Sequence, residues 1–457
     1  MPYLGRSVIE KLLTRGQRAA YGITRFGPSA MLDFVTVAGV FFYYGFKLLP
    51  GIYTGLSFAL GYLVSAVCDT GFGYMSDRTP TRRWGRRKPY MFIGAPLMAL
   101  CWFMYFVPTL FVSPSDLIGL FVWATIWICL FRMFYSFAMT PYQCWMPEVT
   151  EPDERPTVSA WQNGANFFAF GLALASGFLL PSILPKGLVS TPLLVIILVI
   201  VLIELIGFLP VLSKIRGEGK FIKQPSFRRD YGFALHHRNY VLWIIVQGIL
   251  SFAFIMTESI ALQYLSSVAQ LTLIQYAGFL LVFLVVILAF FVIWPALIRR
   301  RGKRYTLTVS MLIVMVAYPF TLFVGQVPGF PLPTYIQVYI VLALITTGIA
   351  GFFLLPYVAY ADFAQVDQIK TGEGRAGVYT GFSSIPLNIF QFFSALLLGF
   401  LLDLPNATGK SFSAGLLWWG PVSSLFIILG LLVLRKTDID PDFAALEKEY
   451  GRKTKKE

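Results

Sequence analysis

Five ionisable side chains interrupt stretches that are otherwise apolar: Asp33, Asp69, Arg132, Glu204 and Glu258. On lenient insertion scales such a group costs roughly 2.5–3.5 kcal/mol at the centre of a lipid-facing helix, so each demands a partner, water or a ligand. A carboxylate there can load and release a proton, and a guanidinium can hold anions or hydroxyl-rich solutes. Arg132 must either pair with Asp33 or Asp69 and merely fix helix packing, or face water and touch a solute. Glu204 lies close to the end of its apolar stretch and reads as structural. Catalytic signatures are missing: no phosphate-cradling Gly-rich loop with Lys and Ser/Thr is present. The two histidines, His236 and His237, stand together in a polar segment rather than at metal-ligand spacing, so neither a metal nor an enzyme is expected.

The elements that carry these groups follow from composition. The chain has 457 residues, of which 57% are hydrophobic and only 13% charged. About 20 apolar residues cross a bilayer as a helix. Such windows recur at 29–49, 52–75, 90–112, 117–140, 158–182, 188–212, 240–264, 272–297, 305–325, 334–360, 378–402 and 412–434. Runs such as "LLVIILVIVLIELIGF" exclude a barrel, whose strands alternate over about ten residues. An all-α membrane protein of twelve transmembrane helices is therefore expected. Cys68, Cys101, Cys129 and Cys144 all fall in apolar segments and read as small core residues.

Lys and Arg crowd the N-terminal segment, alternate loops and the tail, whereas the intervening loops hold only Lys47, Lys186 and Lys410. Positive-inside bias then places both termini in the cytoplasm. The formal charge of +14 belongs to this asymmetry and to anionic lipid; nucleic-acid binding is not expected, because no separate soluble domain exists to do it. The pattern also repeats. "RWGRRKPY" from Arg83 is echoed by "RRGKRYTL" from Arg300, and "TPYQCWMPEV" by "LPYVAYADFA". Gly85 and Gly302 lie 217 positions apart, Pro141 and Pro356 215. Two six-helix halves related by duplication are the expected architecture. This divides the chain into a basic segment (1–28) on the inner membrane surface, a first bundle (29–213), a linker (214–239), a second bundle (240–435) and a charged tail (436–457). The basic loops would sit where the halves meet and gate the cavity from inside, through Asp77, Arg78, Arg83, Arg86, Arg87, Arg155, Arg301, Lys303 and Arg375.

"SDRTPTRRWGRRKP", "PYQCWMPEVTEPDERPTVSAW" and "YADFAQVDQIKTGEGRAGVYTGF" resemble the signature loops of the glycoside–pentoside–hexuronide:cation symporters. That branch of the major facilitator superfamily includes melibiose permease and the vertebrate lysophospholipid symporters. The resemblance implies the major facilitator fold, with the first, fourth, seventh and tenth helices lining a central cavity. Asp33, Arg132 and Glu258 would then contact substrate, with Tyr142, Trp145 and Tyr357 as aromatic contacts. Of the family's paired carboxylates on the second helix, one matches Asp69 and the other falls on Ser65. Family positions also fall on Met139, on Gln162 and Asn388 in place of sugar-holding cations, and on Arg25 in place of a carboxylate. One carboxylate beside one hydroxyl suits a proton better than Na⁺, which wants several hard oxygens. The resemblance thus implies a monomeric secondary transporter of a small organic solute, a sugar or glycoside, either proton-coupled through Asp69 and Ser65 or uncoupled, and working by alternating access in the cell membrane. The alternatives are a lysophospholipid cargo, or a receptor or assembly factor that retains the scaffold. "NAT" at Asn406 is a glycosylation sequon on an expected outer loop.

Overall fold

The computed structural model describes residues 13–79, 85, 87–150, 155–183, 190–215, 232, 235–371, 379 and 382–450. These residues are helical throughout, apart from turns and an isolated bridge between Asn406 and Ser413. The first half comprises α1 (Arg15–Ile23), α2 (Phe26–Val40), α3 (Gly51–Arg78), α4 (Lys88–Tyr105), α5 (Leu117–Val149), α6 (Arg155–Ile183) and α7 (Thr191–Lys214). The second comprises α8 (Arg238–Ser267), α9 (Leu273–Arg301), α10 (Lys303–Ala317), α11 (Thr334–Thr371), α12 (Ser384–Leu402) and α13 (Gly415–Leu434), followed by α14 (Phe443–Tyr450). Among the described residues, eleven helices are long and apolar enough to cross a bilayer, with α1 and α2 counted as one. The 18-residue α4 packs against α5 and α7 and completes the twelve expected.

Differences from the expected boundaries have local causes. The first span begins at Arg15 rather than 29, because Thr14 and Gln17 form a capping box and Tyr21 buries completely. The basic segment is therefore in part a packed helix, resting on α6 and α7. Pro386 lies in the first turn of α12, where its missing N–H costs nothing. α11 runs past 360 to Thr371 because its last turns, although polar, favour helix. Most of the 214–239 linker lies outside the described residues.

The duplication is legible in the backbone. Gly85 and Gly302 have φ of 78° and 85°, a region in which a side chain would be strained, so both halves need glycine at the same turn. Tyr43 at the end of the first span donates to Tyr105 O at 2.6 Å, and Tyr264 at the end of α8 donates to Thr321 O at 2.8 Å. Each hydroxyl ties a half's first span to its third.

The halves meet along α3 with α12, α2 with α8, and α6 with α9. Glycines make the first of these contacts. A Cβ on Gly55 would lie 2.6 Å from Gly399 Cα, and one on Gly399 2.7 Å from Gly51 O, so the backbones touch as small-residue crossings allow. At the same end Asp403 Oδ1 accepts from Gly51 N at 2.6 Å and Oδ2 from Ile52 N at 2.7 Å. Pro50 at the N-cap of α3 offers no side-chain acceptor, so a carboxylate of the second half caps a helix of the first. Tyr44 donates to Leu402 O at 2.8 Å beside it. This end of the bundle is closed between the halves. The opposite end carries Arg78, Lys88, Arg301, Lys303 and Arg435.

Candidate functional site

Arg132 lies midway along α5 and is buried, with 6% exposure. Its guanidinium carbon sits 4.3 Å from the ring centroid of Tyr62 on α3, a cation–π contact whose worth rises when water is excluded. Gly61 makes this possible: a Cβ there would already touch Ile128 at 3.2 Å and the Arg132 stem at 3.4 Å. Among the described residues Arg132 has no carboxylate within ion-pair distance, and its Nε has no hydrogen-bond partner. The purely structural pair of Arg132 with Asp33 or Asp69 is therefore not formed.

Asp33 of α2 and Glu258 of α8 complete the group. Arg132 and Arg25 are within electrostatic reach of Asp33, and Asp33 and Arg132 of Glu258. Both acids are half-buried although their chain neighbours Phe34 and Val35, and Thr257 and Ser259, are buried. Asp33 and Glu258 are thus each partly open to solvent, whereas Arg132 and Tyr62 are buried. Asp33 Oδ2 accepts no hydrogen bond among the described residues.

Asp69 stands farther along α3, where Thr140 Oγ1 approaches Oδ1 at 3.5 Å. Ser136 and Asn388 also face this carboxyl, though neither reaches it at ordinary hydrogen-bond length; the Asn388 amide donates to Ser384 O at 2.9 Å. Ser65, one turn from Asp69, is buried. Arg132, Ser136 and Thr140 thus form a polar stripe at spacing i, i+4, i+8 on α5, and Tyr62, Ser65 and Asp69 another at i, i+3, i+7 on α3. Sequence reasoning missed Tyr62, Tyr135, Ser136 and Thr140; the helical spacing from Arg132 and Asp69 was the signal that pointed to them. Tyr135 lies in reach of Arg25, Asp33, Asp69 and Arg132 together.

Other expected contacts are placed elsewhere. Tyr142 and Trp145 are fully buried beneath α1. Tyr142 stacks on Tyr21 with centroids 4.6 Å apart and receives Gln162 Nε2 at 3.0 Å, while its own hydroxyl donates to Tyr21 O at 2.5 Å. These three residues lock α1 onto α5 and α6, because the amphipathic first helix needs an aromatic seat, and they are buried there. Of the expected gate, Arg87 is buried and donates to Ser76 in its own half. Lys303 bonds Asp362 of α11, and its N–H donates to Asp440 at 2.7 Å, again within one half. Arg78 lies 3.9 Å over Tyr74, and Arg301 6.0 Å over Tyr305. Arg83, Arg86 and Arg375, and the side chains of Asp77, Arg155 and Tyr357, lie outside the described residues. Among the described residues no cluster of His, Cys, Asp and Glu could hold a metal ion.

Two duplicated six-helix halves around a charged centre are matched by a family model described as MFS/sugar transport protein, which covers residues 18–440. The chain belongs to that family. It is 25% identical to an isoprimeverose transporter of Lactiplantibacillus pentosus over 87% of this chain and 82% of that one. It is 24% identical to sodium-dependent lysophosphatidylcholine symporter 1-A of Danio rerio, over 85% and 78%. Inner membrane symporter YicJ of Escherichia coli is 26% identical over 37% of this chain, and the match spans about a third of YicJ's own length, as it does for other bacterial relatives. A crystal structure of a D-xylose-proton symporter superposes with a TM-score of 0.68 at 13% identity, covering 93% of this chain and 97% of that one. The fold is that of the major facilitator superfamily, in a multi-pass integral membrane protein of a transporter family.

Proposed function

We propose that the protein is a secondary transporter that carries a small sugar-like solute across the cell membrane by alternating access, coupled to protons. The observation that carries this reading is the buried Arg132 over Tyr62 with Asp33 and Glu258 in electrostatic reach, drawn from both halves and, among the described residues, without an ion pair. Unpaired ionisable groups at the depth of a bilayer are costly and mark a pathway. The closed contact at Gly51, Gly399 and Asp403 supports the same reading, since one end must seal while the other opens. The basic loops at the opposite end support a cytoplasmic position for that end and for both termini. Arg132 and Tyr62 offer a solute a planar donor and an aromatic face. Asp69 with Ser65, Ser136 and Thr140 supplies one charge and weak neutral ligands, which suits a proton rather than Na⁺.

The full-length likeness to the isoprimeverose transporter supports a sugar-like cargo. The test is uptake into proteoliposomes across a panel of pentosides, hexosides and lysophospholipids. A sugar should accumulate under an inward proton gradient, and Asp69→Asn should abolish accumulation while sparing exchange. Accumulation unchanged in Asp69→Asn, or uptake of lysophospholipids alone, would refute the reading.

A further inference from the structure

Of the eleven long apolar spans, α9 is the least covered by protein. Val285 and Val292 are exposed along it, and Arg299, two turns beyond Val292, continues the same stripe. Ile293 and Arg300 stand in the same relation. On α10, which packs alongside α9, Tyr305, Leu312 and Val316 are exposed at helical spacing. Surfaces that meet acyl chains thus end, on the side that carries the basic loops, in Arg299, Arg300 and Tyr305.

The turn between the two helices fixes this arrangement. Gly302, with φ of 85°, turns the chain into α10 so that the Arg301 guanidinium carbon sits 6.0 Å from the ring centroid of Tyr305. The Arg304 guanidinium donates to Arg435 O, which brings the end of α13, with exposed Arg435 and Lys436, to the same rim. Carboxylates at this rim are already engaged. Asp362 pairs with Lys303, Asp440 accepts from Lys303 N at 2.7 Å and Arg304 N at 2.9 Å, and Asp438 accepts from Asp440 N at 3.1 Å. Among the described residues Arg299, Arg300 and Arg301 have no carboxylate within ion-pair distance. The C-terminus of α9 supplies roughly half a negative charge, too little to offset them. A signal that only keeps a loop cytoplasmic does not need its cations on lipid-facing stripes. In the matching turn of the first half, Arg87 instead turns inward to Ser76, and Lys88 donates to Leu212 O at 3.0 Å.

We propose that Arg299, Arg300 and Arg301, with Tyr305, form a site for the headgroup of an anionic phospholipid. A guanidinium fork matches phosphate oxygens two at a time, Tyr305 places a phenol at headgroup depth, and the exposed stripes of α9 and α10 take the chains. A soluble acidic partner fits worse, because Arg299 continues a stripe that lipid covers.

The site does not depend on what is transported, and its test needs no solute. Native mass spectrometry of the purified full-length protein would count retained lipid during titration with phosphatidylglycerol or phosphatidylcholine. Phosphatidylglycerol should bind about tenfold more tightly or better. Arg299→Gln/Arg300→Gln should weaken it about 30-fold, at about fivefold per cation, and leave phosphatidylcholine unchanged. Each single substitution should lose about fivefold, so a double variant without a cooperative thermal transition leaves the singles to decide. Arg15→Gln/Lys448→Gln, which removes two exposed cations elsewhere, should bind as wild type does. Equal loss in that control, no preference for phosphatidylglycerol, or unchanged affinity in the arginine variants overturns the proposal. So does a polyglutamate probe held by these arginines in a protein that retains no phosphatidylglycerol, which would assign the surface to a soluble acidic partner.

Discussion

Asp403 is exposed, yet it accepts from the first two N–H groups of a helix belonging to the other half. An N-cap side chain contributes typically about 1 kcal/mol, and an anion at a helix N-terminus about 0.3–1 kcal/mol where solvent is near. With water able to replace part of both in the separated state, Asp403→Ala should weaken the closed contact by about 1–2 kcal/mol, which corresponds to roughly a 5- to 30-fold rise in the ratio of separated to closed molecules. Asp403→Asn keeps one acceptor oxygen and should fall between. The assay is a spin–spin distance distribution between labels at Pro114 and Lys410, exposed positions on loops of the two halves at this end, in lipid nanodiscs. A long-distance population should appear in Asp403→Ala. If the distribution and its width are unchanged while the variant remains folded, the carboxylate is a passive cap and the closed end depends on the glycine crossing alone.

That crossing gives a sharper perturbation. Gly399→Val puts a Cβ 2.7 Å from Gly51 O and 3.0 Å from Gly55 Cα, so the same labels should report a splayed end and uptake should fall at least tenfold; a wild-type distribution would contradict the packing argument. At the other end, His237 caps α8 by accepting from Tyr240 N at 3.3 Å, and burial, followed by nearby Lys370, holds its imidazole below the usual value. The folded protein therefore binds this proton less readily than the unfolded chain, so the contribution is intact above a pH of about 6.5 and is lost as pH falls below it. His237→Asn, which caps without titrating, should flatten that limb of a thermal-stability profile, and an unchanged acid limb would show that His237 does not control it.

How much of this was legible in sequence depends on whether the signal was local. Apolar length gave the twelve helices, since a helix crossing lipid must satisfy its backbone internally. The echo of Gly85 in Gly302 exposed the duplication because only glycine takes that φ without strain. Asp33, Arg132 and Glu258 stood out by their cost. What sequence did not reveal was pairing across elements. Tyr142, Trp145 and Gln162 carry the right chemistry for a sugar, but α1, read as a surface segment, folds over them. Nothing local to Lys303 shows that its carboxylate partners come from α11 and the tail of the same half. Tyr62 was passed over because an aromatic in an aromatic-rich chain is conspicuous only once Arg132 is seen above it.

The same contrast bears on how the centre and the closed end communicate. α3 carries Tyr62 and Asp69 in its interior and receives Asp403 at its first turn, so one rigid helix links the charged centre to the latch. α12 presents Asn388 to Asp69 near one end and Asp403 to α3 at the other. A helix is stiff over such lengths, so a change in charge at Asp69 should shift the α3–α12 crossing. Paired glycines serve this better than bulkier residues would, because they let the two backbones approach closely at the crossing. If protonation at the centre left the α3–α12 distance distribution untouched in a protein that still transports, the two helices would not be the coupling element, and the link would have to run through α2 and α8 alone.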